Sequence, residues 1–367
     1  MSNEFKLPAI SALAGSTPAN LSRVVAGRSI ASDYKTRLAG TKVVSRLTSP
    51  IAKLEAIRNA EQIEAVKFHK APVFILGHWR SGTTHLHNLM CQDPQFGYVT
   101  TYQGVFPNAL LSGQWLMKSF MNMAMPKKRA TDNVELNVNF PQEEEFALGN
   151  MCPHSFYNFW YFPQNMQEYA DRYLLFKGID IADYQEWKIQ YDQLVRKAMI
   201  NTNGERFISK NPPHTSRIKA LLELYPNAKF IHIARNPYTV FESTVKFFMA
   251  TIEPLKFQDI SKEEMEENIL SIYAKMYDQY EAQKALIPEG NLVEIRFEDL
   301  EKDNMGMLEQ IYQKLDLGDF EKVSAEFQQY VDAHSGYKKN QYNYAQNTLD
   351  KVSSRWSKYF KRWGYEL

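Results

Sequence analysis

The sequence predicts an α/β protein with a parallel sheet covered by helices on both faces. Three observations predict it. A short apolar run at 73–76 has the length and composition of a buried strand, and further strand segments fall at 206–209, 229–234 and 292–297. Helical stretches separate these runs, which calls for parallel pairing through crossovers. The first run ends at Gly77 in a polar loop that opens a helix near Thr83, the layout of a strand–loop–helix anion site.

The elements follow in chain order. Residues 1–70 are charged and helical in pattern, a packing arm whose apolar positions are Leu54, Ile57, Ile63 and Val66. The first strand is Val73–Leu76; a helix over 83–91 follows and stops at Asp93-Pro94. Residues 103–205 lack clear strand patterning and hold Met-rich and aromatic-rich helical segments, which makes them a helical insertion. Alternation then resumes with a strand at 206–209, a helix at 215–224, a strand at 229–234 and a helix at 237–249. Asn236 caps that last helix, and Pro237 suits its first turn. A long helix at 263–286, a strand at 292–297, a helix at 300–315 and an aromatic helix around 356–363 complete the chain. No internal repeat or low-complexity linker interrupts it, so 1–367 reads as a single domain.

Composition narrows the function. The 367 residues are 44% hydrophobic, enough for one large core. A net charge of +1 supplies no global field for nucleic acid, so any anion site must be local. Cys91 and Cys152 have no metal-type spacing and fit a reducing compartment. The N-terminal residues lack a charged-then-apolar leader, and no apolar window reaches the roughly 18 residues of a membrane span. The expectation is a soluble cytoplasmic protein without a transmembrane segment. No metal site is expected, because His85 and His87 stand two apart on a helix and His154, His232 and His334 are isolated.

The loop after the first strand reads Gly-x-x-x-x-Gly-Thr-Thr, a P-loop outline with Thr83 where the lysine stands. Backbone amides and the helix N-terminus can still cradle a phosphate. The lysine that reaches the β/γ-phosphates of ATP is missing, and the cation, Arg80, lies inside the loop. That suits a nucleotide with a single 5′ group. A second anion site falls at Arg235, which ends the strand 229–234, with Ser243 eight residues on. Two such elements at two strand ends, with no Walker-type lysine, favour a ligand role for Arg235 and Ser243 over an ordinary surface Arg and helical Ser.

These residues resemble the sulfotransferases that use 3′-phosphoadenosine 5′-phosphosulfate (PAPS). The 5′-phosphosulfate loop of that family matches Arg80-Ser81-Gly82-Thr83-Thr84, and its 3′-phosphate motif matches Arg235 and Ser243. A third element stands as Phe297-Glu298-Asp299-Leu300. A weaker likeness continues to a basic loop at Lys338-Lys339-Asn340. The resemblance implies a P-loop NTPase-like sulfotransferase fold, PAPS as donor, adenosine 3′,5′-bisphosphate (PAP) as product, and no metal. His85 stands where animal cytosolic members carry an adenine-stacking Trp, so stacking falls to His85 or Phe297. The dimer signature of those enzymes is not evident, leaving the oligomeric state open. The element Pro141-Gln142-Glu143-Glu144-Glu145-Phe146 is similar to one in bacterial members.

Sulfuryl transfer, like phosphoryl transfer, needs positioning and charge stabilisation. The resemblance assigns the cations to Arg80 and to Lys210, which follows the strand 206–209. A general base must take the acceptor's proton. Glu143, then Glu144, then His214 are the candidates. Acidic residues in a first helical turn are also ordinary partners of the helix dipole.

The acceptor is expected in the insertion. Met117, Met121, Met123 and Met125 form one cluster there, and Phe156, Tyr157, Phe159, Trp160, Tyr161 and Phe162 another. Such surfaces adapt to bulky apolar ligands, which favours a sterol- or steroid-like alcohol. Lys127-Lys128-Arg129 keeps a carbohydrate acceptor open. The readings from other classes are a P-loop nucleotide kinase and a non-catalytic nucleotide-binding protein.

Overall fold

The computed structural model describes residues 11–124, 137–334 and 344–367. Five strands form one parallel sheet: β1 Val73–Leu76, β2 Phe96–Gly97, β3 Arg206–Lys210, β4 Lys229–Ala234 and β5 Leu292–Arg296. Their spatial order is β2-β3-β1-β4-β5, with β1 in the middle. The two-residue β2 is too short to leave a sequence pattern and forms only because it pairs with the start of β3.

Register sets the faces. Phe74 lies opposite Ser209 and Phe230, and Ile75 opposite Lys210 and Ile231. Side chains alternate between two cores. Phe74, Leu76, Phe207 and Phe230 enter the larger one, with Trp160, Trp187, Tyr273 and Trp356. Val73, Ile75, Ile208, Ile231 and Ile233 enter the other, with Leu86, Leu308 and Ile311. Each such side chain contributes roughly 1.5–3 kcal/mol by leaving water. The aromatic run 156–162 belongs to this core. Its six aromatic residues are buried, and Phe159 and Trp160 pack against Phe248.

Helices depart from expectation in three places. The helix expected over 300–315 is two, Phe297–Lys302 and Asn304–Leu315, broken at Asp303. The Asp303 carboxylate caps the second by accepting the Gly306 N–H at 2.8 Å. The helix expected over 215–224 starts as a 3₁₀ turn at Pro212–Ser216, then runs Ile218–Leu224. The aromatic tail helix extends back to Gln346–Trp363.

The arm helix Lys35–Arg58 is turned the other way round from the expected docking. Ile57 is 80% exposed and Leu54 45%, whereas Leu38, Thr41, Ser45, Thr48 and Glu55 face inward. The inner seam is polar because it bonds to backbone. The Ser45 hydroxyl donates to the Ser16 carbonyl at 2.6 Å. Glu55 accepts the Leu111 and Ser112 amides at 2.7 and 3.0 Å and pairs with Lys197 at 2.7 Å. Ile63 is buried and Val66 partly buried, as expected. No helix among the described residues is long and apolar enough to cross a membrane.

Candidate active site

Strand order places the site. The chain leaves β1 toward one edge of the sheet, and leaves β4 toward the other. Ligands of open α/β sheets bind in the crevice beyond the strand ends where such connections diverge. Lys210 ends β3, Gly77 follows β1, and Arg235 follows β4, three neighbouring strands.

The loop after β1 is folded by its own side chains. Gly77 (φ 150°), Arg80 (φ 69°) and Gly82 (φ 98°) have positive φ. A Cβ on Gly77 would lie 2.6 Å from the Ile233 carbonyl, and one on Gly82 2.1 Å from the Phe297 ring, so neither position admits a side chain. The Gly77 amide donates to the Thr215 hydroxyl at 2.8 Å, and the His78 amide to the Tyr277 hydroxyl at 3.3 Å. Ser81 is fully buried, and its hydroxyl donates to the His78 carbonyl at 2.7 Å. The Ser81 amide donates to the same carbonyl at 3.1 Å, so both groups of this residue close the turn 78–81. Thr83 and Thr84 open the helix Thr83–Met90, where N–H groups have no carbonyl one turn below. The nearby His78 is held neutral, its pKa lowered to about 3 by burial.

The two expected anion elements meet. Arg80 Nε donates to the Ser243 hydroxyl at 2.8 Å, and an Arg235 guanidinium N–H donates to the Arg80 carbonyl at 3.1 Å. Arg235 also lies 4.3 Å over the Phe297 ring. His85 bonds Asn304 at 2.8 Å and meets Phe297 edge-on. Glu298 accepts the Asn236 amide at 3.1 Å and the Tyr365 hydroxyl at 2.6 Å, which ties the loop after β4 to the C-terminus. Lys338, Lys339 and Asn340 lie outside the described residues, as do Met125 and Lys127 to Arg129.

The acidic run at 143–145 is a clamp on the end of β3. Its three carboxylates bond to different groups there. Glu143 pairs with the Lys210 ammonium at 2.5 Å. Glu144 accepts the Ser209 hydroxyl at 2.8 Å and the Lys210 amide at 3.3 Å. Glu145 makes a bidentate pair with Arg217 at 2.7 and 2.9 Å and accepts from Asn211 at 2.8 Å. The helix Glu144–Met151 therefore starts against the sheet through specific bonds, and the general dipole effect does not account for it.

These environments separate the base candidates. Burial raises Glu144 to about 8, against the opposing pull of the Ser209 bond and the Lys210 charge, so it is protonated at neutral pH. His214 is fully buried, bonds the Tyr191 hydroxyl at 2.9 Å, and is held neutral by burial and by Arg217. Glu143 alone of the three is partly accessible.

Two residues that sequence reasoning missed connect the halves. Trp79 Nε1–H donates to the Tyr157 hydroxyl at 2.7 Å, and Tyr157 donates to Glu143. Burial and the Glu143 charge raise the Tyr157 phenol, which keeps it a donor. A Trp inside the loop was visible in the sequence, but its partner lies 78 residues away in a run read only for its apolarity.

One histidine–carboxylate group, His154 with Asp183 and Glu186, lies within 4.8 Å, where the sequence had suggested an isolated His154. Arg23 grips both Glu186 oxygens at 2.7 Å, and Arg172 approaches Asp183 at 3.4 Å. This is an ion-pair network.

A lysine-free, P-loop-like turn beside a lysine–glutamate pair, on a five-stranded parallel sheet, is the P-loop-like transferase architecture. The chain belongs to the Sulfotransferase family, whose sequence model matches residues 72–322. It is therefore a sulfotransferase of the bacterial type. It is 33% identical, over 80% of its length and 75% of theirs, to the omega-hydroxy-beta-dihydromenaquinone-9 sulfotransferases Stf3 of Mycobacterium bovis and Mycobacterium tuberculosis. Its fold is similar to the crystal structure of sulfotransferase STF9 from Mycobacterium avium. There the TM-score is 0.67 at 15% identity, covering 100% of this chain and 99% of that one. STF1 from Mycobacterium tuberculosis matches at TM-score 0.67 and 17% identity, over 93% and 90% of the two chains.

Proposed function

We propose that the protein transfers a sulfuryl group from PAPS to the hydroxyl of an apolar acceptor. The bonded series Trp79–Tyr157–Glu143–Lys210 carries this reading, because it joins the anion-binding loop to a base and a cation at the next strand end.

The donor fits the residues present. The opening amides at Thr83 and Thr84, with Arg80, offer donors to a 5′-phosphosulfate. Arg235 and Ser243 offer a fork and a hydroxyl to a 3′-phosphate. His85 and Phe297 stand beside them for the adenine. The Arg80–Ser243 bond means that the two anionic groups would share a wall.

In the step itself, the acceptor oxygen forms a bond to sulfur while the bond from sulfur to the phosphate oxygen breaks. The leaving phosphate keeps the electron pair, and the hydroxyl proton passes to Glu143. Lys210 and Arg80 balance the charge that develops on the leaving oxygen. Tyr157 holds the Glu143 carboxylate in place as a positioning residue. Glu144 and His214, enclosed and neutral, support the strand end.

The acceptor class draws on the relatives' name, which describes an omega-hydroxylated menaquinone derivative. Met121 is buried in a small satellite core with Tyr102, Phe106 and Val138, and Met117 packs against it. This small apolar cluster, apart from the two main cores, suits an acceptor-binding cap. A hydroxylated prenyl lipid or sterol is favoured over a sugar. The test measures labelled-sulfate transfer from PAPS to an omega-hydroxylated prenyl quinone, a sterol and a sugar, and melting with PAP or Mg-ATP. PAP without Mg²⁺ is expected to raise the melting temperature more than Mg-ATP does, and the apolar alcohols to be sulfated. Greater stabilisation by Mg-ATP would sink the donor assignment, and preference for the sugar the acceptor class.

A further inference from the structure

The outward face of the arm helix Lys35–Arg58 has an order that neither catalysis nor folding uses. Val43, Leu47, Pro50, Leu54 and Ile57 recur at alternating spacings of four and three. At 3.6 residues per turn they fall within about 80° of one another on the helix surface. Val43 is 52% exposed, Leu47 72%, Leu54 45% and Ile57 80%. Lys35, Lys42, Arg46 and Lys53, all exposed, fall within about 40° on one flank of this stripe. Arg58 takes the other flank. None of these five makes an ion pair among the described residues, in a molecule where most surface arginines do. The helix's one carboxylate, Glu55, points inward to Lys197.

A second apolar element adjoins the far end. Glu55 anchors the amides of Leu111 and Ser112, and Ile51 fills the space where a Cβ on Gly113 would stand. A groove lined by Leu54, Arg58, Leu111 and Gly113 separates the two. Trp115 and Leu116 then open the helix Gln114–Ala124, 81% and 49% exposed.

We propose that this face docks on an anionic lipid bilayer, with the Val43–Ile57 stripe and Trp115 at the headgroup–acyl boundary and the basic row against lipid phosphates. An exposed apolar stripe beside an all-basic flank is the pattern of helices that lie in a membrane interface, and Trp favours that depth. Charge selects this occupant over a second copy of the chain. Pairing two such helices would offer a basic row no exposed carboxylate on the facing helix, and Pro50 interrupts the seam. The chain's net charge of +1 conceals the row, because the opposite charges lie elsewhere. The inference does not depend on which acceptor is sulfated, and its test needs neither donor nor acceptor.

The experiment is sedimentation of the full chain with vesicles of phosphatidylcholine, alone or mixed with phosphatidylglycerol. Binding is expected to the mixed vesicles, weakening as salt rises. Lys42→Gln with Arg46→Gln should weaken it on the order of 20-fold, taking about fivefold per basic side chain. Leu47→Ser with Ile57→Ser should remove the salt-resistant part, at an unchanged melting temperature. Mixed vesicles should shift the emission to the blue, and Trp115→Phe should reduce that shift. Absence of binding, equal binding to the neutral vesicles, or undiminished binding by both double variants would overturn the proposal. So would a dimer in sedimentation velocity that Leu47→Ser with Ile57→Ser dissolves.

Discussion

The ends of β3, β1 and β4 and the arm helix both bury polar side chains, toward different ends. At the strand ends, Glu143 is bonded to Lys210 and Arg80 to Ser243, and each pair joins a partly open residue, Glu143 or Arg80, to a buried one. In the arm, Ser45 and Glu55 are enclosed, and their partners are backbone groups and Lys197. A buried polar group costs roughly 1–3 kcal/mol when unpaired, and both regions avoid that cost. The difference lies in what a ligand can take over. The Glu143–Lys210 pair can exchange one partner for a reacting group, whereas the Glu55 bonds would only be lost.

The largest expected effect tests the site half of that contrast. Glu143→Gln keeps a hydrogen-bonding side chain between Tyr157 and Lys210 but cannot take a proton. Its turnover should fall by about 10²–10⁴-fold, while PAP still raises the melting temperature. Near-normal turnover would remove Glu143 from the role of base and reopen the choice among its neighbours.

Glu144 sharpens the contrast within the site. Its folded pKa of about 8 lies above the ordinary value of 4.5, so the folded state keeps a proton that the unfolded state releases. Stability from this group is full below the unfolded value. It declines as pH rises toward 8 and levels off above. Urea midpoints followed across that window should fall more steeply for the natural protein than for Glu144→Gln, the gap reaching a few kcal/mol. Identical slopes would show that Glu144 is not the neutral member of the run.

Legibility followed what each element depends on. β1 and β4 have the bounds expected of them, since buried parallel strands are mostly apolar: β1 is wholly so, and β4 is so except at Lys229 and His232. The loop 77–84 was legible because its backbone fixes glycines at Gly77 and Gly82. Arg235 and Ser243 were found by spacing, but their bonds to Arg80 were not, since they form between strand ends distant in sequence. The Glu143–Lys210 pair spans 67 residues, and the sequence offers the two only separately, as base and cation. Tyr157 was expected only as one member of an aromatic acceptor-binding cluster, because one phenol within an aromatic run gives no sign of the carboxylate it meets. β2 was invisible, since two residues carry no period.

The arm was misread for a reason that a single substitution can test. Leu54 and Ile57 looked like docking residues because apolar side chains at helical spacing usually face a core. The seam that docks consists of Leu38, Thr41, Ser45, Thr48 and Glu55, and only Leu38 is apolar. A periodic apolar stripe marks a face without saying which side of the helix is solvent, and the polar seam won because it met backbone groups and Lys197. If Ile57 were in a core, Ile57→Ala would cost about 2–5 kcal/mol. At 80% exposure it should change stability by no more than about 0.5 kcal/mol, with turnover on a water-dispersed acceptor unchanged. A loss in the core range, read from urea midpoints at constant slope, would restore the first reading of the arm. It would also remove the exposed stripe on which bilayer docking depends.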